Sequence, residues 1–91
     1  MNSEEILKKL KRTVDSGEKC LDLKWNHIGP ERIKTISESP YLLNIKVLNL
    51  NINDMGDKGV KSLAESPYLS NLRRLDLWRN KAGEEGDKAI K

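Results

Sequence analysis

The chain has a single cysteine, Cys20, and no phenylalanine. A lone cysteine excludes an intrachain disulfide, and without a Cys-x-x-Cys partner or a recurring histidine it does not form a recognisable zinc site. No apolar run reaches the length of a membrane-spanning helix, and no signal-peptide pattern is present. These absences favour a cytoplasmic protein with no structural metal and no contact with a membrane.

Residues suited to catalysis or to phosphate binding are equally sparse. His27 is the only histidine, and it lies at a position whose residue type changes along the chain. The glycines stand outside any strand–GxGxxG or GxxxxGK(S/T) context, so they do not form a phosphate loop. Glu84, Glu85 and Asp87 are explained by the amino terminus of a helix and need no calcium. The sequence predicts no enzymatic activity and no cofactor.

What the chain does have is an internal repeat. Leu21, Leu48 and Leu75 stand 27 residues apart. Each opens a similar string, and the three strings read LDLKWNHIG, LNLNINDMG and LDLWRNKAG. A repeat that cannot bury its own apolar face must stack on its neighbours. Alternation places the leucines on the inner side of short strands, and the segments after Gly29 and Gly56 supply the helical crossovers that parallel strands require.

The segment before the repeats predicts an amphipathic helix. Asn2, followed three residues later by Glu5, can form a capping box. Beyond it, apolar residues recur on one helical face, namely Ile6, Leu7, Leu10 and Val14. The basic run 8–12 covers much of the remaining surface, and we interpret it as a solvated helix face rather than a localisation or polyanion-binding signal. We predict helices at about 3–15, 31–38, 58–65 and 84–90.

The common register, L-x-L-x-x-N-x-(Ile/Met/Ala)-G, resembles the leucine-rich repeat family, and in particular its ribonuclease-inhibitor-like type, over about residues 20–91. The resemblance implies a short right-handed α/β solenoid with parallel strands on the concave face and helices on the convex face. It also implies that Asn26, Asn53 and Asn80 point inward and bond the backbone of the adjoining turn. We expect one domain over 1–91, divided into an amino-terminal cap helix (1–19), two repeats (20–46 and 47–73) and an incomplete third (74–91).

Candidate binding residues are the positions that vary between repeats on the open side of the sheet. Stacking the repeats in register gives four rows: Cys20, Val47 and Arg74; Asp22, Asn49 and Asp76; Lys24, Asn51 and Trp78; Trp25, Ile52 and Arg79. Exposed large apolar groups beside arginine have the composition of interface anchors. The alternative is that Trp25 and Trp78 cover the edges of a thin core.

We therefore predict a non-enzymatic protein-interaction module whose partner the sequence does not identify. Its predicted anchors are Trp25, Ile52, Trp78 and Arg79, and its polar surroundings are Asp22, Lys24, Arg74 and Asp76. One alternative is a weak polyanion or nucleic-acid binder that uses Arg73, Arg74, Arg79 and Lys81 with Trp78 as a stacking platform. Another is a structural fragment or cap of a longer array. The free edge of the last strand also predicts either self-association or fraying of the carboxy-terminal part.

Overall fold

The computed structural model describes residues 2–80. Within that range the chain forms three α-helices, one 3₁₀ helix and three strands. In chain order these are α1 (Ser3–Asp15), β1 (Cys20–Asp22), α2 (Gly29–Ser37), the 3₁₀ helix (Pro40–Asn44), β2 (Val47–Asn49), α3 (Gly56–Ala64) and β3 (Arg74–Asp76). The strands form one parallel sheet in the order β1-β2-β3. The predicted three-stranded parallel sheet is confirmed.

The strand register reproduces the sequence period. Leu21 lies beside Leu48, and Leu48 lies beside Leu75. A shift of one repeat along the chain is therefore a shift of one strand across the sheet, about 4.8 Å. Residues at equivalent positions in neighbouring copies consequently form rows that cross the strands.

Helix α1 begins at the predicted capping box. The Asn2 side chain accepts the Glu5 backbone N–H at 2.9 Å, and the Glu5 carboxylate accepts the Asn2 backbone N–H at 3.2 Å. Its bounds match the predicted 3–15. The other two described helices begin about two residues earlier than predicted, at Gly29 and Gly56. The predicted helix over 84–90, with Glu84, Glu85 and Asp87, lies outside the described residues.

The core is one apolar layer between the sheet and the helices. Its fully buried members include Ile6 and Leu10 of α1, the leucines at 21, 23, 48 and 50, Ile33 and Ile36 of α2, and Val60 and Leu63 of α3. Leu75 and Leu77, at the third strand, pack against this layer but are only partly buried. The apolar layer is therefore complete under β1 and β2 and thinner under β3.

A glycine allows α3 to approach α2 closely. A Cβ atom added at Gly59 would lie 3.0 Å from the Ile33 side chain, 3.2 Å from the Pro30 backbone and 2.8 Å from Met55 Cβ. Met55 Cβ would have to shift, and the Ile33 side chain and the Pro30 backbone of α2 would have to give by a few tenths of an ångström. Arg32, the equivalent residue in the preceding copy, is exposed on α2 and donates from Nη1 to the His27 carbonyl. An arginine can therefore replace the glycine at position 32, because its side chain lies in open space.

Two of the recurring asparagines are buried, and their side chains satisfy the backbone of the turns. Asn53 Oδ1 accepts the backbone N–H groups of Asn26 and Ile28, while its amide N–H groups donate to the carbonyls of Leu23 and Leu50. Asn53 and Asn80 are 1% and 2% exposed. Because these backbone groups would otherwise be buried without partners, Asn53 and Asn80 have the structural role that the resemblance implied.

Candidate functional site

The side of the sheet opposite the core carries the strand side chains that alternate with the buried leucines. We call this surface the open face, and we include in it the residue pairs that begin two positions after the end of each strand (24–25, 51–52 and 78–79). On the strands, Cys20 lies beside Val47 and Val47 beside Arg74, while Asp22, Asn49 and Asp76 form the next row. These side chains are exposed or half-buried. The first two predicted rows are therefore neighbours in space.

The rows continue past the ends of the strands. The Trp25 backbone N–H donates to the Asn51 carbonyl at 3.0 Å, and the Ile52 N–H donates to the Trp78 carbonyl at 2.8 Å. Asn51 also accepts the Trp78 backbone N–H on its side-chain oxygen at 2.6 Å. The three copies thus hold the residues after each strand in the same relative placement as the strands themselves.

A left-handed backbone conformation recurs on the open face. Trp25, Ile52 and Arg79 have φ values of 56°, 57° and 55°. This conformation is uncommon for residues other than glycine and unfavourable for a β-branched residue. It interrupts the alternation of the strand, so that two consecutive residues of a copy, such as Lys24 and Trp25, are both exposed. The open face therefore carries more side chains per copy than a regular strand would.

The two tryptophans are the largest exposed apolar groups of this surface. Trp25 is 70% exposed and Trp78 is 64% exposed. The Arg79 guanidinium lies over the Trp78 ring, 4.5 Å from the ring centroid, in a cation–π arrangement. Neither tryptophan covers the core, because both leave well over half of their surface to solvent.

The structure brings the predicted anchors onto one surface but not into one cluster. Trp25 follows β1 and Trp78 follows β3, so two strand spacings, or about 10 Å, separate their backbones across the sheet. Ile52 follows the strand between them and is half-buried. The apolar anchors are thus spread along a band that crosses the strands, with Arg79 beside Trp78 at one end.

The polar residues of the open face are engaged locally. Arg74 Nε lies 3.2 Å from Asp76 Oδ1 in an ion pair. Asp22 Oδ1 accepts the backbone N–H of Lys24 at 3.1 Å. Since Arg74 is paired with a carboxylate and Arg79 covers one face of the Trp78 ring, two of the cations proposed for a nucleic-acid site already have intramolecular partners. Lys81 lies outside the described residues.

One row of charged residues was missing from the predicted site. Lys19, Lys46 and Arg73 stand one repeat apart, directly before the three strands. These three cations do not stand out along the chain, because each has different sequence neighbours. The 27-residue register that identified the leucines would have aligned them.

Groups for metal or acid–base chemistry are not assembled in residues 2–80. No set of three or more histidine, cysteine, aspartate or glutamate side chains there could hold a metal ion. His27 and Cys20 are both exposed. Among the described helices, none combines the length and the apolar character that crossing a membrane would demand.

Comparison with known proteins agrees with the repeat architecture. A family model described as Leucine Rich repeat matches residues 19–36 and 41–64. These two segments contain β1 with most of α2, and β2 with α3. Searches of curated proteins and of solved structures each gave no match.

Proposed function

We propose that this chain, which is a leucine-rich repeat protein, is a non-enzymatic module that binds another protein through the open face of its sheet. Leucine-rich repeats generally serve in protein interactions. The observation that carries the proposal is the exposure of Trp25 and Trp78 on the variable rows of this face. Tryptophan and arginine are enriched among the residues that dominate binding energy at protein interfaces.

The proposed anchors are Trp25, Ile52, Trp78 and Arg79. We assign the surrounding polar contacts to Asp22, Lys24, Arg74 and Asp76. The left-handed conformation of Ile52 supports a role outside the fold, since a glycine or an asparagine would adopt that backbone with less strain. Strained residues of this kind cluster at functional sites.

We further propose that the open face is concave and that the chain is a short solenoid of the ribonuclease-inhibitor-like type. Neighbouring strands lie about 4.8 Å apart, whereas packed helices need about 8 to 10 Å, so stacking closes the strand side inward. The presence of both a strand and a nine-residue helix in each of the first two repeats supports this type. A concave face suits an interaction surface because it contacts its partner from several copies.

In this proposal α1 caps the first repeat within one domain over 1–91. Ile6 and Leu10 bury the apolar face of α1 against the core. The Lys9 ammonium donates to the Asp22 carbonyl of β1 at 2.7 Å. This bond supports the capping role because β1 is the first strand of the sheet and an uncovered strand edge invites pairing with another chain.

The proposed binding site can be tested by comparative capture of partners from a native lysate. The bait is the intact chain, and the test variant is Trp25→Ala/Trp78→Ala. The matched control is Lys34→Glu/Lys61→Glu, which changes exposed residues of α2 and α3. We expect a protein held by the parent chain and by the control to be absent from the double-alanine sample. Retention by the double-alanine variant, with loss in the control, would place the site on the helices.

We also propose weak self-association through β3. Within residues 2–80, β3 pairs on one side only, with β2, and both Leu75 in the strand and Leu77 just after it are partly buried. An open strand edge beside apolar surface is a template for a second copy. Light scattering should show a mass that rises with concentration. A monomer mass at every concentration would contradict this association and leave the open-face proposal unaffected.

A further inference from the structure

A column of three cations crosses the amino-terminal rim of the sheet. The backbone N–H of Lys46 donates to the Lys19 carbonyl, and that of Arg73 donates to the Lys46 carbonyl, each at 2.8 Å. These bonds fix the three residues in successive copies, one strand spacing of about 4.8 Å apart. We call Lys19, Lys46 and Arg73 the cationic column. All three are exposed.

The cationic column has no counterion within the described chain. The ion pairs within residues 2–80 join Lys8 to Glu4 and Arg74 to Asp76, and neither pair includes a member of the column. No side-chain hydrogen bond of the described range involves these three cations either, whereas Lys9, Arg32 and Arg74 each make one. Like charges held side by side on a sheet destabilise it. The fold therefore retains a repulsive arrangement that its own contacts do not offset.

The column borders a concavity that is partly apolar. A cavity of about 490 Å³ is lined by all three cations and by the polar residues Asn44, Ser70 and Asn71, together with Leu43 and Leu72. Leu43 is 38% exposed and so is available for an apolar contact. The site thus offers positive charge and an apolar contact in one depression.

We propose that the cationic column binds an acidic peptide segment of a protein partner, with carboxylates on the three cations and an apolar side chain against Leu43. Arg73 can bind a carboxylate through two parallel hydrogen bonds, while Lys19 and Lys46 act as point charges. This site is separate from the proposed open-face anchors, because Lys19 lies before the amino end of β1 and Trp25 lies beyond its carboxyl end.

The surroundings favour an acidic peptide over a nucleic acid. Proteins bind single-stranded nucleic acids by stacking the bases on aromatic side chains. Both tryptophans lie beyond the carboxyl ends of the β-strands, whereas the cationic column lies before their amino ends. The exposed Leu43 suits an amino-acid side chain better than a phosphodiester backbone. Three cations over about 10 Å also match a few carboxylates, whereas tight duplex binding usually uses more phosphate contacts.

The test uses the full chain and a fluorescein-labelled peptide of alternating glutamate and leucine, followed by fluorescence anisotropy. The test variant is Lys19→Gln/Lys46→Gln/Arg73→Gln. Its matched control, Lys34→Gln/Lys58→Gln/Lys61→Gln, removes the same net charge from the helices. We expect the test variant to bind about tenfold more weakly, because each exposed pair that is lost weakens binding by up to about fivefold. The control and Trp25→Ala/Trp78→Ala should bind as the parent does, and added salt should weaken all binding.

Three results would overturn the proposal. Equal affinity of the column variant and the parent would show that the column does not bind the peptide. Equally weakened peptide binding in the helix control would show that the effect comes from net charge alone. Tighter binding of a labelled DNA duplex than of the peptide in the same buffer would assign the column to nucleic acid. A peptide of alternating glutamine and leucine serves as the uncharged probe and should not bind.

Discussion

The side-chain oxygen of Asn80 accepts the backbone N–H of Asn53 at 2.8 Å, across the boundary between two repeats. Asn53 makes the equivalent bond to the backbone N–H of Asn26, also at 2.8 Å. Each of these side chains therefore stabilises the turn of the copy before it. This connection makes the stability of one repeat depend on its neighbour, as expected for stacked arrays.

Replacing Asn53 by leucine should lower the free energy of unfolding by at least about 2 kcal/mol. The change leaves the backbone N–H groups of Asn26 and Ile28 without their acceptor in a buried environment. Urea denaturation followed by circular dichroism measures the loss. An unchanged unfolding midpoint would contradict the inward, structural role of this asparagine.

Asn26→Leu is the matched control for that experiment. In the described structure the Asn26 side chain donates only to the Lys24 carbonyl, at 3.1 Å, and no repeat precedes it. We expect a loss of about 1 kcal/mol or less, because fewer backbone groups lose a partner. A loss as large as that of Asn53→Leu would show that the bonds between copies are not the source of the effect.

Gly59→Ala should destabilise the fold by about 1 to 3 kcal/mol, although alanine has the higher helix propensity. The added methyl group would meet Ile33 and the Pro30 backbone at the contact of the two helices. Thermal unfolding measures this effect, with Lys58→Ala on the exposed side of α3 as the control. If Gly59→Ala raised the melting temperature, as helix propensity alone predicts, the close helix contact would be refuted.

Ile52→Asn should leave the free energy of unfolding unchanged or raise it by up to about 1 kcal/mol. Asparagine tolerates the left-handed backbone that Ile52 adopts, whereas a β-branched residue is strained there. Val47→Asn is the control, since Val47 is also half-buried but lies within a strand, and it should destabilise. A clear loss of stability in Ile52→Asn would mean that this side chain serves the core.

Much of the fold could be predicted because each local secondary-structure signal occurs in more than one copy of the repeat. Leucine alternation, the asparagine and the glycine recur in register, so the sheet and the helices around 31–38 and 58–65 could be placed to within about two residues. The early starts at Gly29 and Gly56 were missed because both residues have positive φ and look like loop residues. The 3₁₀ helix Pro40–Asn44 was also missed, since proline indicated only where α2 ends.

The site was less predictable than the fold. The residues of the open-face rows were found from the register, but the left-handed conformation of Ile52 contradicts the intrinsic preference of isoleucine and could not be predicted from the sequence. The same is true of the Arg74–Asp76 pair and of the Arg79 guanidinium over Trp78. Side-chain pairing depends on rotamers that the repeat pattern does not specify.

Lys46→Glu should raise the free energy of unfolding by about 0.2 to 1 kcal/mol at low salt. The substitution replaces the central charge of the cationic column with one that attracts Lys19 and Arg73. Urea denaturation at low and high salt measures it, and the gain should shrink at high salt because exposed charges are screened. A loss of stability at low salt would show that the Lys46 side chain makes a stabilising contact within the fold.

The most direct test of the open-face proposal is a comparison of two dissociation constants by isothermal titration calorimetry. The parent chain and Trp78→Ala are each titrated with the partner that the parent chain captured. We predict a loss of affinity of roughly 30-fold or more, equivalent to about 2 kcal/mol, with the circular dichroism spectrum unchanged. Lys34→Glu and Lys61→Glu should bind as the parent chain does. Parent-like affinity in Trp78→Ala together with lost affinity in the two lysine variants would contradict the proposal and assign binding to the helical face.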